Sequence, residues 1–245
     1  MSKTEGIVED KAVVDLAWTA GWDSTFRLLQ LILVEGRVVR PHYIVRPESS
    51  TGQEIDAMNK IRRSLFSGWE KSRTLLEPTE FVDVRAIRID RDLDSLYVDI
   101  TKRIKINYQY LLLACYCQQV GISKMELGVL DGHTLGSEST VLFKDFSLPL
   151  LGLSKRELQE SAKAHGFLNF MRLTVFCRRP KGGKPCGFCG PCHDAVQMGM
   201  GYRLPLRRRV IASLQSPLRS WWRRNYAQMD PTLKRVASRF LRGRY

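Results

Sequence analysis

The hydrophobic period of the chain changes repeatedly within its first seventy residues, and that alternation restricts the fold more than any other feature. Val13-Val14-Asp15-Leu16-Ala17-Trp18 reads as a buried strand, followed by the small-residue turn Thr19-Ala20-Gly21. From Ser24 the spacing becomes helical, with Phe26, Leu29, Ile32 and Leu33 on one face and Gly36 at a C-cap position. Residues 38–45 predict a second strand, interrupted by Pro41 and ended by Pro47. Thr51-Gly52-Gln53-Glu54 reads as a capping box, and Ile55, Met58, Ile61 and Leu65 form the stripe of its helix. Residues 81–89 alternate like a strand, residues 108–119 predict a helix, and residues 125–130 a short strand. A second capping box, Ser154-Lys155-Arg156-Glu157, opens a helix that stops at Gly166. Strands and helices alternating at these lengths predict an α/β chain with a doubly wound, mainly parallel sheet.

In such a sheet, ligands bind beyond the carboxyl ends of the strands, and the first strand-to-helix turn is a natural phosphate site. Thr19-Ala20-Gly21-Trp22-Asp23-Ser24-Thr25 suits that role. Ala20 and Gly21 let backbone approach an anion closely, while Thr19, Ser24 and Thr25 offer hydroxyls. The loop has no Lys, so it is not a Walker A motif, and the chain has no dinucleotide glycine fingerprint. A plainer reading is that Asp23 or Ser24 caps a helix after a tight turn.

The six cysteines bear on metal chemistry. The longest apolar runs, residues 28–34 and 111–117, fall well short of the roughly 20 residues that span a bilayer. The polar N-terminal stretch has no apolar signal region, so the expectation is a cytoplasmic, reducing setting in which cysteines serve metals or catalysis. Cys177, Cys186, Cys189 and Cys192 are separated by eight, two and two residues, with glycines and prolines between them. Four thiolates at such spacing suit a closed, structural Zn²⁺ site, and Arg178, Arg179, Lys181 and Lys184 would offset its negative charge. Paired two-residue gaps also occur in iron–sulfur ligation. His193 reads as a bystander, and Cys115 and Cys117 as core residues on an apolar helix.

The stretch Thr19-Ala20-Gly21-Trp22-Asp23-Ser24 resembles the Ser-Gly-Gly-x-Asp-Ser signature of the PP-loop ATP pyrophosphatases, with Thr for the first Ser and Ala for the first Gly. Combined with the four-cysteine cluster, and with Leu148-Pro149-Leu150 followed by Leu153-Ser154-Lys155-Arg156-Glu157, the chain resembles the 7-cyano-7-deazaguanine (preQ0) synthase family over residues 12–200. The resemblance implies an adenine nucleotide alpha hydrolase-like fold, with residues 12–200 forming an ATP-binding domain that includes a zinc loop at 177–192. It implies an ATP-dependent C–N ligase of queuosine biosynthesis that adenylates a heterocyclic carboxylate, 7-carboxy-7-deazaguanine or a related acid. Ammonia then displaces AMP to give an amide, and a second activation dehydrates it to a nitrile. ATP, Mg²⁺ and structural Zn²⁺ are the implied cofactors. Thr19, Ala20, Gly21, Trp22, Asp23, Ser24 and Thr25 would hold the nucleotide, with Asp23 and Ser24 catalytic and Asp23 at the Mg²⁺. Adenine would lie against the backbone of Tyr43, Ile44 and Val45. Where the family carries a Tyr-Pro-Asp-Cys substrate run, this chain has a polar loop in which Asp131, His133 and Glu138 could contact a substrate.

The charge is uneven. Residues 203–245 hold 12 Lys/Arg against one Asp, whereas residues 1–171 hold 22 Lys/Arg against 23 Asp/Glu. The basic tail is divided on paper by Pro205, Pro217 and Pro231, and ends in an amphipathic pattern of Leu233, Val236, Ala237, Phe240 and Leu241. Arg207-Arg208-Arg209 and Trp221-Trp222-Arg223-Arg224 fit RNA, an anionic membrane surface, or a helix that docks on the body of the chain or on another subunit, including a second copy in a homodimer. Two functions compete with the ligase. One is a PP-loop RNA-modifying enzyme, such as a tRNA thiolase, and the other a non-catalytic nucleotide-binding adaptor.

Overall fold

A computed structural model describes residues 12–103, 106–130, 141–225, 230 and 232–233. The chain divides into two compact units, one of residues 1–46 and 58–173, the other of residues 47–57 and 174–245. The cysteine cluster thus groups with the helix that follows it, not with the sheet.

The strands of the first unit are β1 (Val14–Ala17), β2 (Val39–Val45), β3 (Glu80–Asp83), β4 (Met125–Leu127) and β5 (Phe146–Ser147). Every pairing is parallel, in the order β3-β2-β1-β4-β5. The α/β, parallel reading therefore holds. Helices α1 (Trp22–Leu29), α2 (Thr51–Gly68), α3 (Ser72–Leu75), α4 (Arg91–Arg103), α5 (Tyr108–Val120), α6 (Lys155–Ala164) and α7 (Leu168–Met171) connect and flank the strands, α2 through its residues 58–68 alone, its first turns being grouped in the second unit. α1 runs on through a π-helical turn, Gln30–Val34.

Alternation along the strands directs side chains to opposite faces. Ala17, Ile44, Met125 and Leu127 join a buried cluster with Leu111, Leu112 and Leu113 of α5 and with Leu93 and Ile100 of α4. α5 is buried from Leu111 through Cys117, which explains why its sequence is apolar all round and not striped. On the opposite face Glu126 of β4 accepts two hydrogen bonds from Arg27 of α1, at 2.6 and 3.0 Å, and Arg27 also pairs with Glu35. That buried fork ties α1 to β4.

Several local expectations change; the strand read over residues 125–130, for one, ends at Leu127. The strand read over residues 81–89 ends at Asp83, whose carboxylate accepts from the Arg85 N–H and turns the chain into a 3-10 segment. α4 was not expected, although Leu93, Leu96, Tyr97 and Ile100 stand at helical spacing and Asp90 caps it through the Asp92 and Leu93 N–H groups. Pro41 lies inside β2. It has no N–H to give, and the neighbouring ladder breaks there, between the Val39–Leu76 bridge and the His42–Glu80 pair.

The second unit holds α8 (Gly190–Gln197) and α9 (Leu206–Asn225). His193 Nδ1–H donates to the Ala212 carbonyl at 3.0 Å, and Ala212 is fully buried. Arg203 donates to the carbonyl and hydroxyl of Thr174 and lies 4.8 Å over the Phe176 ring. α9 runs through Pro217 without ending, so that proline does not divide the tail. It removes one helical hydrogen bond while the turns on either side keep theirs. The expected terminal helix lies outside the described residues beyond Leu233.

Candidate nucleotide site and candidate metal centre

The strand order reverses at β1, with β2 and β3 on one side and β4 and β5 on the other. The crevice at the carboxyl end of such a reversal is where open α/β sheets take ligands. The loop from Trp18 to Ser24 lies there.

The loop is stapled from within. Trp18, fully buried, donates its indole N–H to the Thr25 hydroxyl at 3.0 Å, and the Thr25 N–H bonds the Gly21 carbonyl at 3.0 Å. Thr25 is therefore a structural anchor, with its hydroxyl and amide both engaged. The Ser24 hydroxyl accepts from the Thr19 N–H at 3.4 Å and sits 3.5 Å from the Thr19 hydroxyl. Ala20 is fully buried with φ of 51°, in the left-handed region, which costs a residue bearing a Cβ about 1–2 kcal/mol. Strain of this kind persists where surrounding contacts over-determine the backbone, and it gathers at ligand sites. Gly21 is the N-cap of α1 and has no side chain to offer, so no side chain caps the helix. Its positive end is left to an anion.

Asp23 stands in that first turn. Its Oδ1 is buried without a hydrogen-bond partner, and its Oδ2 lies 3.4 Å from Lys155 Nζ. Burial pushes the Asp23 carboxyl above its usual value, and the Lys155 charge, then its hydrogen bond, only partly restores it. Burial, then the Asp23 charge, raises the nearby Tyr110 phenol. Lys155 is the first residue of α6, fixed there by the Ser154–Glu157 capping box that the sequence announces. Gly128, just after β4, makes the closest approach: a Cβ on it would lie 2.6 Å from Ser24 N and 2.8 Å from Asp23 C.

Lys155 and Gly128 had no site role in the sequence reading. A signal existed for Gly128, since an isolated glycine in a strand-like run marks a close backbone approach. Nothing local marks Lys155 as a partner of Asp23. Tyr43 and Ile44 are buried near the carboxyl end of β2. Asp131, His133 and Glu138 lie outside the described residues.

In the second unit the four expected cysteines converge. Their Sγ atoms all lie within 4.8 Å of one another, and all four residues are buried. Cys189–Cys192 is 3.4 Å, while Cys186–Cys192 and Cys177–Cys189 are each 3.9 Å. Four sulfurs at about 2.3 Å from a tetrahedral zinc would stand about 3.8 Å apart, so the cluster can hold a metal such as zinc. The Cys186 N–H donates to Cys177 Sγ at 3.1 Å and the Phe188 N–H to Cys186 Sγ at 3.4 Å, bonds that orient and stabilise thiolates. Cys189 is the N-cap of α8 and Cys192 lies in its first turn, where the helix dipole favours negative sulfur. Gly187 has φ of 79°, and a Cβ there would strike the Arg208 backbone at 2.9 Å. His193 is turned to the Ala212 carbonyl, as befits a bystander. Cys115 and Cys117 are buried in the first unit, and burial pushes Cys117 up to about 12, so neither is a reactive thiol.

No family model matches this chain, and no curated protein matches it.

Proposed function

We propose that the first unit is an ATP-pyrophosphate site of the PP-loop type, in an adenine nucleotide alpha hydrolase-like fold, and that the protein is an ATP-dependent carboxylate–amine ligase. The observation that carries this reading is the Asp23 carboxylate, with a buried oxygen lacking a partner, in the uncapped first turn of α1 at the reversal of the strand order. A carboxylate with such an oxygen fits Mg²⁺, a hard cation that takes oxygen donors. When bound with ATP, that ion would neutralise charge on the departing pyrophosphate.

The chain's own groups supply the rest. The first-turn amides, the Ser24 hydroxyl and the dipole of α1 bind phosphate oxygens. Lys155, beside Asp23, would add a positive charge that stabilises the departing pyrophosphate. Transfer of AMP from ATP to a carboxylate oxygen, with release of pyrophosphate, replaces a poor leaving group by a good one. Ammonia then attacks the acyl carbon and expels AMP to give the amide. A nitrile requires a second ATP to activate the amide oxygen for departure. The acid of our reading is 7-carboxy-7-deazaguanine or a related heterocycle, with an amide or nitrile as product. The metal held by the cysteines would be structural, because a closed tetrahedron of thiolates leaves no position for water.

The test is the nucleotide product. With ATP, Mg²⁺, ammonia and 7-carboxy-7-deazaguanine, mass spectrometry should find AMP together with an amide or nitrile of the acid. ATP binding without acid-dependent AMP, over a panel of acids, would defeat the ligase reading and favour an adaptor. The burial of Cys115 and Cys117 weighs against a thiolation mechanism based on either.

A further inference from the structure

The first thirteen residues of α9 expose an aliphatic stripe. Leu206, Val210, Leu214 and Leu218 recur at every fourth position and are 73%, 50%, 76% and 48% exposed. At about 1.5 Å per residue the stripe is roughly 18 Å long, and half-exposed Trp221 extends it. A different side of the helix does the packing: Ala212 is fully buried, its carbonyl accepts from His193, and the Arg208 backbone lies against Gly187. The stripe is therefore not the unit's own core, and exposed apolar runs of this kind mark interaction surfaces.

The charge on the same helix says what kind of surface would cover it. Arg207, Arg208, Arg209, Arg219, Arg223 and Arg224 lie between residues 206 and 225, with no Asp or Glu among them. We propose that α9 lies flat on an anionic lipid surface, with the aliphatic stripe at the boundary of headgroups and acyl chains and the net positive charge of the helix drawn to lipid phosphates, although Arg208 itself is held by the Lys184 and Pro185 carbonyls. A lipid surface supplies apolar depth and negative charge together, and both are what an interfacial helix requires. Nucleic acid would satisfy arginines and could stack a base on Trp221, but it would leave the four aliphatic side chains Leu206, Val210, Leu214 and Leu218, most of the stripe, in water. A second copy would bring two arginine-rich helices together with no acidic residue on either to offset them. No helix among the described residues is long and apolar enough to cross a membrane, and the contact proposed is interfacial. The proposal does not depend on the nucleotide site.

The experiment is co-sedimentation of the full chain with vesicles of phosphatidylcholine alone, and with about a third of that lipid replaced by phosphatidylserine. Binding is expected only to the second, weakening as salt rises. Val210→Gln/Leu214→Gln, which keeps the charge and alters exposed positions, should weaken it by about tenfold or more. Metal content and the circular dichroism spectrum of this variant should match the parent chain. Equal binding by the variant, or no binding to the anionic vesicles at low salt, would overturn the proposal. So would a dimer that the double substitution dissociates, or tighter capture by homopolymer RNA than by anionic vesicles.

Discussion

Gly128→Ala tests the packing on which the nucleotide site depends. The added methyl carbon would lie 2.6 Å from Ser24 N, 2.8 Å from Asp23 C and 2.9 Å from Ser24 Cα, while ordinary contact begins near 3.4 Å. It must therefore retreat by about 0.8 Å, and everything it meets is backbone. α1 cannot yield freely, because Phe26, Leu28 and Leu29 are buried and Arg27 is bonded to Glu126. Overpacking of this kind costs about 1–3 kcal/mol. The loss of glycine's freedom in the unfolded chain returns about 0.4–1 kcal/mol. Gly68→Ala is the matched control in the same unit, since its Cβ would meet only the Phe170 ring at an ordinary 3.5 Å. Both variants share the unfolded-state gain, so the difference in their unfolding free energies isolates the clash, at about 1–3 kcal/mol. Urea unfolding of the two variants measures it. Displacing Asp23 and the Ser24 amide by this much should also slow AMP formation by about tenfold to a hundredfold. If Gly128→Ala were as stable as Gly68→Ala and fully active, the end of β4 would not press on the first turn of α1, and the site as described would be wrong.

Two further outcomes follow from the same geometry. The folded Asp23 carboxyl titrates above its ordinary value, so its stabilising contribution is complete below that ordinary value and is lost as pH rises through the folded one. Asp23→Asn should then leave stability at neutral pH unchanged or higher, flatten its decline through the mildly acidic range, and abolish AMP formation. A marked loss of neutral-pH stability, read by thermal unfolding at several pH values, would mean that the Lys155 pair outweighs the burial. Cys189→Ser should bind less metal by elemental analysis and lower the melting temperature of the second unit, because ligation free energy is folding free energy. Full stability with one sulfur removed would argue that the cluster holds no structural metal.

The parts of this protein that could be read from order along the chain are those whose partners are neighbours in it. The β1–loop–α1 segment is one run of residues, and its change of period from two to nearly four announces strand, turn and helix. The four cysteines fall within one short glycine- and proline-rich stretch, so their convergence needs only local turns. The Ser154–Glu157 box likewise closes within one helical turn. Pattern failed where a competing interaction was equally local: an Asp83 side chain cut one strand short.

Strand order lies beyond local pattern, because it arises from pairing between segments distant in the chain. Setting β4 against β1 brings Gly128 to the Ser24 amide and Glu126 to Arg27, and packing of α6 near α1 brings Lys155 to Asp23. The raised Asp23 carboxyl follows from that burial and from no property of the loop itself. The exposed stripe of α9 has the same origin. Helical spacing makes a helix amphipathic, but which side meets the protein and which is left over was decided by the contacts of Ala212 and Arg208.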